Sequence, residues 1–277
     1  MKTQTRLPLG HKTKCIGVAL GLLLGALVGK AQFINGGFES NNFNGWERGS
    51  GYWVGGAIDP ATYFSGGANY FAGYDASAIT SPGLDPNTGN NLNMVYSGSH
   101  SVRINDDYNN YSVSAIRQTV TNYTDDHIFF AWAAVLEESH NVYDSDNFVL
   151  TLTNDTKGLT LFNVTYNSAN TDGLFTSYVN GYRTWYYTDW QVQDLDVSAY
   201  SGDTFTLSLL ASDCPYGGHA GYVYLDGFGA VTPPVEPPHP PGMTPVPEPS
   251  TYGAIGALGL IGTVLYRRRK QTTAITA

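Results

Sequence analysis

The segment Thr204-Phe205-Thr206-Leu207-Ser208-Leu209-Leu210 alternates polar and apolar side chains and indicates most clearly which fold the chain adopts. Successive side chains of a β-strand point to opposite faces, so this pattern predicts a strand with one face in a core. Seven more segments have strand-like composition between Gly, Asn and Asp turns: 101–105, 116–120, 127–136, 148–153, 160–164, 184–192 and 222–226. Eight short strands predict an all-β fold, an antiparallel jelly-roll β-sandwich over residues 32–230.

The composition fits such a fold and excludes one class of partner. The 277 residues are 42% hydrophobic, which is enough to form a core. All 23 acidic residues lie between Glu39 and Glu248, a range that contains only five Lys and Arg residues. Recognition of phosphates needs a cationic surface, so we expect no binding to nucleic acid. A divalent cation or a neutral ligand such as a sugar fits this charge.

Residues 49–93 differ from the rest of the predicted sandwich because Gly and aromatic residues dominate them. The segment is too long for a turn and too aromatic for a flexible linker. We therefore predict an ordered, loop-rich insertion near one rim of the sandwich. Long loops on a rigid scaffold commonly carry binding sites.

Residues 1–31 predict a secretory signal peptide with a helical centre. Four basic residues precede an uncharged apolar run at 15–28, and Ala31 is a small residue before the expected cleavage point. The run is about 14 residues long, which is shorter than a membrane span needs. Signal peptidase is therefore an expected partner. Cleavage would leave Cys214 as the single cysteine, so no disulfide can form within the mature chain.

The end of the chain has three parts in order. Residues 231–245 are Pro-rich and predict an extended spacer. The motif Val246-Pro247-Glu248-Pro249-Ser250 follows, and then an uncharged apolar run at 251–266 that predicts a short hydrophobic helix. A basic cluster at 267–270 would stay on the cytoplasmic side of the inner membrane, so this helix would be a temporary anchor.

The segment 246–270 resembles the PEP-CTERM sorting signal of Gram-negative bacteria. The matching positions are Val246, Pro247, Glu248, Pro249, Ser250, Arg267, Arg268 and Arg269. The resemblance implies export, transient anchoring in the inner membrane, and processing by an exosortase-like enzyme. It also implies delivery to the cell surface or to an extracellular, biofilm-type matrix of exopolysaccharide.

Both ends of the predicted sandwich resemble carbohydrate-binding-module-type jelly rolls of the galactose-binding-like class. The matching segments are 35–39 with Gly45-Trp46, and 190–228. In many such jelly rolls a structural Ca²⁺ ties the first strand to the last, and the matching positions here are Glu39 and Asp226. The resemblance thus implies a Ca²⁺ site, which needs about six to eight oxygen ligands. The alternative is that both residues are ordinary turn or capping carboxylates.

Exposed aromatic rings are the usual platforms for sugars, because a ring face covers the apolar C–H face of a pyranose. We predict Tyr52 with Trp53, and Trp185 with Tyr187, as carbohydrate-binding side chains. The three remaining Trp residues are expected in the core. The alternative for the four predicted residues is that they pack the long loops onto the sandwich.

The motifs offer little support for catalysis. The adjacent Glu137 and Glu138 would point to opposite faces of a strand, which does not suit a glycosidase pair. His140 and His219 lie in polar loops, where a histidine is a metal ligand, an acid–base residue or, more often, a hydrogen-bonding residue. We therefore predict an exported, non-catalytic protein that binds a matrix glycan or exopolysaccharide. The alternatives are a structural or adhesive surface protein without a ligand pocket, and a glycan-active hydrolase.

Overall fold

The computed structural model describes residues 32–230, which form two antiparallel β-sheets. The predicted signal peptide, Pro-rich spacer and C-terminal helix fall outside this range. Within it, the strands are β1 (Glu47–Tyr52), β2 (Ala78–Thr80), β3 (Ser101–Ile104), β4 (Ser112–Val120), β5 (His127–Glu137), β6 (Asn147–Asn154), β7 (Leu159–Asn167), β8 (Phe175–Asn180), β9 (Arg183–Thr188), β10 (Gln191–Asp196), β11 (Phe205–Ser212) and β12 (Gly221–Ala230).

The strand order defines the two layers. The first sheet has the order β1-β4-β11-β6-β7, and the second has the order β2-β3-β12-β5-β9-β8, with β10 also paired to β5. The connections β5 to β6 and β11 to β12 therefore pass from one sheet to the other, as in jelly-roll sandwiches. The all-β, antiparallel sandwich predicted from the sequence is confirmed.

The predicted strand 184–192 is divided into β9 and β10, which lie end to end along one edge of β5. Tyr187 pairs with Val135, whereas Gln191 pairs with Trp132, so the register changes by one residue between them. One extra residue in a strand is the mark of a β-bulge. The sequence patterns did not predict β1, β2 or β8.

The core between the sheets contains the apolar side chains that the polar–apolar alternation of the sequence places on one face of each strand. On β11, Phe205, Leu207 and Leu209 are fully buried. Trp132 of β5 meets Phe148 of β6 with ring centroids 5.3 Å apart, so rings from opposite sheets fill the space between the layers. Burial of this apolar surface is the main favourable contribution to folding.

The central strands are buried on both faces, which is unusual for an antiparallel sheet. Part of the Gly/aromatic segment covers the first sheet, where Trp53, Tyr63 and Phe64 pack against β4 and β11. Gly51 allows this approach, because a Cβ there would lie 2.3 Å from the carbonyl oxygen of Asn69. The sequence analysis predicts the segment near one rim of the sandwich. In the structure, this part of it covers the outer face of the first sheet.

The end of the segment and the residue after it, residues 84–94, cover the outer face of the second sheet. Leu92 packs there in one cluster with Trp185, Tyr222 and Tyr224. Asp85 is buried beneath this cover and accepts hydrogen bonds from the Tyr222 hydroxyl at 2.8 Å and from the Tyr224 hydroxyl at 2.9 Å. Burial raises the pKa of Asp85, and these hydrogen bonds offset part of the rise. The insertion is therefore anchored by a polar clasp as well as by apolar contacts.

Candidate functional site

Three aromatic side chains that remain exposed lie together at the start of the insertion. Tyr52 ends β1, and its ring centroid lies 6.5 Å from that of Phe71 and 5.7 Å from that of Tyr74. The Phe71 and Tyr74 centroids are 5.5 Å apart. The exposed fractions are 50%, 54% and 36%, so much of each ring faces solvent. We call this cluster the aromatic surface.

The aromatic surface is held against β1 by hydrogen bonds and an ion pair. The Phe71 N–H donates to the Ser50 carbonyl oxygen at 2.9 Å, and the Ser50 hydroxyl donates to the Phe71 carbonyl oxygen at 2.9 Å. Arg48 contacts the Asp75 carboxylate at 2.6 Å. These contacts fix the backbone on both sides of Tyr74, so the rings are preorganised rather than carried on a loose loop.

A groove of about 260 Å³ adjoins the aromatic surface. Its walls are formed by Tyr52, Val54, Tyr74, Tyr111 and Pro215. Several of these side chains are apolar or aromatic, and the Tyr residues add hydroxyl groups. This combination matches the general chemistry of small-molecule sites, in which apolar walls carry a few polar groups.

Gly217 sets the position of Tyr111 in the groove. The backbone of Gly217 has a φ of 69°, and a Cβ there would lie 2.4 Å from Tyr111 Cζ. The Tyr111 carbonyl oxygen accepts a hydrogen bond from the Trp53 N–H at 3.0 Å, which joins this wall to the end of β1. The groove is thus assembled from four separate stretches of chain.

The structure separates the four predicted sugar-binding residues. Tyr52 lies on the aromatic surface and in the groove wall. Trp53, Trp185 and Tyr187 are only 4%, 0% and 6% exposed, so the expectation that they offer ring faces to solvent is wrong. The physical reason is the cover described above, because these rings supply the apolar contacts between the insertion and the two outer faces.

Phe71, Tyr74 and Tyr111 were not among the predicted site residues. All three lie in segments rich in Gly, Asn and Asp, where an aromatic ring has no place in a strand pattern. That context was the available signal. The prediction favoured Trp over Tyr and Phe, and the large Trp rings were used for packing instead.

The structure brings Glu39 and Asp226 to the same loop, residues 96–100. The N–H groups of Tyr96 and Ser97 each donate to Asp226 Oδ2 at 2.9 Å. Those of Ser99 and His100 donate to Glu39 Oε1 at 3.0 and 3.1 Å. The two carboxylates therefore tie the beginning and end of the sandwich to one loop, which is the turn-capping role left open as the alternative to metal binding.

Burial is the largest cause of a raised pKa at Asp226, which reaches about 7. The hydrogen bonds from the loop lower this pKa, and the negative charge of Glu39 raises it. The two carboxylates thus repel each other. His100 Nδ1 lies 4.0 Å from Glu39 Oε2.

Comparison with protein families identifies the tail. Residues 245–270 match the model of the PEP-CTERM protein-sorting motif, which confirms the resemblance of the tail. This signal indicates export and sorting to the cell surface. No curated protein matches the chain. Within residues 32–230, the structure contains no helix that is long and apolar enough to cross a membrane.

Solved structures similar to the body include carbohydrate-binding-module sandwiches. TmCBM61 in complex with β-1,4-galactotriose is 11% identical to this chain, with a TM-score of 0.36. The matched region spans 72% of this chain and 96% of TmCBM61. The CBM28 module specific for non-crystalline cellulose is 14% identical, with coverages of 72% and 94% and a TM-score of 0.35.

The K2 cleaved adhesin domain of Lys-gingipain is also similar. It is 14% identical, with coverages of 72% of this chain and 94% of its own, and a TM-score of 0.33. Identities and TM-scores are low in all three cases. The similarity is therefore confined to the sandwich architecture.

Proposed function

We propose that this exported protein binds a neutral polysaccharide of the cell surface or extracellular matrix through the aromatic surface, without catalysing a reaction. The observation that carries the proposal is the cluster of Tyr52, Phe71 and Tyr74, which is exposed yet fixed beside a groove. Single exposed apolar residues are common on proteins, whereas a contiguous apolar patch beside a cleft is typical of interaction sites.

The chemistry of the groove favours a sugar. Ring faces can cover the C–H faces of a pyranose, and the Tyr hydroxyls can exchange hydrogen bonds with its hydroxyl groups. The acidic composition of the body disfavours anionic polymers, since like charges repel. A neutral exopolysaccharide meets both conditions. The sorting tail would bring the body to the place where such a polymer is found.

The test is binding of the full chain to a panel of soluble neutral and anionic polysaccharides, measured by affinity electrophoresis and calorimetry. We expect retardation by at least one neutral polymer. Phe71→Ala and Tyr74→Ala should each weaken binding by about 2- to 10-fold, the equivalent of one aromatic contact. Tyr182→Ala is the matched control, because Tyr182 is 97% exposed and lies in the turn between β8 and β9.

Three results are informative against the proposal. If the double variant Phe71→Ala/Tyr74→Ala binds as tightly as the parent chain, the binding site lies elsewhere on the body. Binding to no polymer would favour the structural or adhesive alternative. Release of reducing ends from a bound polymer would show a glycan-active hydrolase.

We also propose that Glu39 and Asp226 hold a structural Ca²⁺. The support is charge: two neighbouring carboxylates repel each other, and a hard dication that accepts carboxylate oxygens would remove this repulsion. The amide groups of residues 96–100 already occupy part of their hydrogen-bonding capacity, so a bound ion would share these oxygens with the loop. The residues fit the ion in charge and in donor type.

Thermal unfolding of the full chain with Ca²⁺ and with excess chelator tests this proposal. We expect Ca²⁺ to raise the unfolding temperature, and Glu39→Gln and Asp226→Asn to remove the increase. Asp155→Asn is a control at an exposed carboxylate of the β6–β7 turn. An unfolding temperature that does not respond to Ca²⁺ would leave the carboxylates with the turn-capping role alone.

A further inference from the structure

Two loops at one end of the sandwich bring two histidines and a cysteine together. The loop 138–146 joins β5 to β6 and carries His140, and the loop 213–220 joins β11 to β12 and carries Cys214 and His219. Each loop passes from one sheet to the other. One nitrogen or sulfur atom of each of these three residues lies within 4.8 Å of the others.

One distance within this cluster matches the spacing of two ligands on a shared metal ion. Cys214 Sγ lies 3.6 Å from His219 Nδ1. A tetrahedral Zn²⁺ with one sulfur and one nitrogen ligand holds these two atoms about 3.5 Å apart, given the usual bond lengths. The rings of His140 and His219 are 4.8 Å apart at 82°, so they meet at an angle rather than in a stack. His140 is exposed, which leaves its ring room to turn toward the other two ligands.

The backbone around Cys214 suits a thiolate. The Gly218 N–H donates to Cys214 Sγ at 3.3 Å, and the Gly217 N–H donates to the Cys214 carbonyl oxygen at 3.2 Å. Metals bind the thiolate form of cysteine, and an amide donor stabilises its negative charge. Cys214 is buried and forms no disulfide, and its sulfur faces His219 Nδ1.

We propose that His140, Cys214 and His219 form a Zn²⁺ site with three protein ligands and a fourth position open to solvent. Imidazole and thiolate together suit Zn²⁺, whereas Ca²⁺ binds oxygen ligands, so this site is chemically distinct from Glu39 and Asp226. Binding releases the thiol proton to solvent as the zinc–sulfur bond forms. The ion joins two of the loops that cross between the sheets, in a body without a disulfide.

The rival explanation is a local hydrogen-bond network without metal. The Ser139 hydroxyl lies 3.1 Å from His219 Nδ1, the same atom that faces the sulfur. The ring of Tyr216 lies 4.9 Å from that of His140 and would shield one side of the cluster in either case. Because one lone pair serves one partner, Ser139 must turn away from this nitrogen when the nitrogen binds a metal.

The test uses the full chain with Cys15→Ser, which leaves Cys214 as its single thiol. Zn²⁺ is titrated in competition with a chromophoric chelator, and Co²⁺ serves as the spectroscopic probe. We expect one equivalent of metal, the visible bands of tetrahedral Co²⁺, and a thiolate-to-cobalt charge-transfer band. Cys214→Ser should abolish the charge-transfer band and, like His219→Asn, lower zinc affinity by more than about 100-fold, since even outer-shell changes cost 10- to 100-fold.

His127→Asn is the matched control, because His127 is a half-exposed histidine whose Nδ1 lies 2.6 Å from Asp194 Oδ1 on another part of the surface. It should leave zinc affinity unchanged. The proposal is overturned if the parent chain binds no stoichiometric zinc, or if Cys214→Ser and His219→Asn bind it as tightly as the parent. Should a variant fail to fold, the Co²⁺ spectrum of the parent chain decides. The thiolate-to-cobalt band must appear, and Zn²⁺ must remove it whereas Ca²⁺ at the same concentration must not.

Discussion

Replacement of Asp85 by alanine should loosen the cover formed by residues 84–94 on the second sheet. Asp85 is 1% exposed and accepts hydrogen bonds from the hydroxyls of Tyr222 and Tyr224 and from the Asn87 N–H. The substitution leaves three buried donors without an acceptor. Each such donor costs about 1–3 kcal/mol, and water that enters the vacated space lowers the total, so we expect a loss of about 3–5 kcal/mol.

Urea unfolding of the full chain, followed by tryptophan fluorescence, measures this loss. Hydrogen exchange of the Leu92 amide reports whether the cover opens locally before the sandwich unfolds. Tyr224→Phe is the matched control. It removes one donor but keeps the ring and leaves Asp85 with its other partners, so it should cost only about 1–2 kcal/mol. A loss below about 1 kcal/mol in Asp85→Ala, with unchanged exchange at Leu92, would refute the clasp.

Three further predictions concern packing and pH. Gly217→Ala should displace Tyr111 and weaken polysaccharide binding, as calorimetry would show; unchanged affinity would mean that Tyr111 is not part of the site. Trp185→Ala should lower the free energy of unfolding by about 3–5 kcal/mol, whereas Tyr182→Ala, measured in the same urea series, should change it by less than about 0.5 kcal/mol. The pKa of Asp85 is raised in the folded state, so between the two pKa values Asp85 is protonated in the folded chain and ionised in the unfolded chain. The contribution of Asp85 to the free energy of unfolding therefore falls as pH rises above 3.8. The stability of the parent chain relative to Asp85→Asn should therefore decrease with rising pH, and an increase would contradict the raised pKa.

The buried clasp and the aromatic surface show two uses of one insertion. Aromatic rings at the contacts between the insertion and the sheets, such as Trp53 of the insertion and Trp185 of β9, stabilise the insertion by burial. The rings of Phe71 and Tyr74 do not pack on a sheet and remain exposed. The hydrogen bond from Phe71 to Ser50 and the ion pair of Arg48 with Asp75 hold their backbone in place. Stable packing of the first set thus preorganises the second, which lowers the entropy lost on binding a polymer.

Sequence patterns predicted the long strands well because each has its own alternation or apolar run. β11 needs only its own residues to indicate which side chains face the core, and Phe205, Leu207 and Leu209 are buried there. The short strands β2 and β8 have no comparable pattern, since pairing with β3 and β9 forms them. Of the four side chains predicted to bind sugar, Tyr52 is exposed in the structure, and the sequence analysis did not name its neighbours Phe71 and Tyr74.

By itself, the sequence determined the class of fold, the sorting tail and the acidic character of the body, because these depend on local order and composition. The resemblance to carbohydrate-binding-module jelly rolls pointed to Glu39 and Asp226, although 187 positions separate them in the chain. The tertiary structure alone decided which rings are buried and which face solvent, because that depends on where the insertion folds over the two sheets. It also decided that His140, Cys214 and His219 meet, since two crossover loops far apart in sequence become neighbours only when the sheets pack.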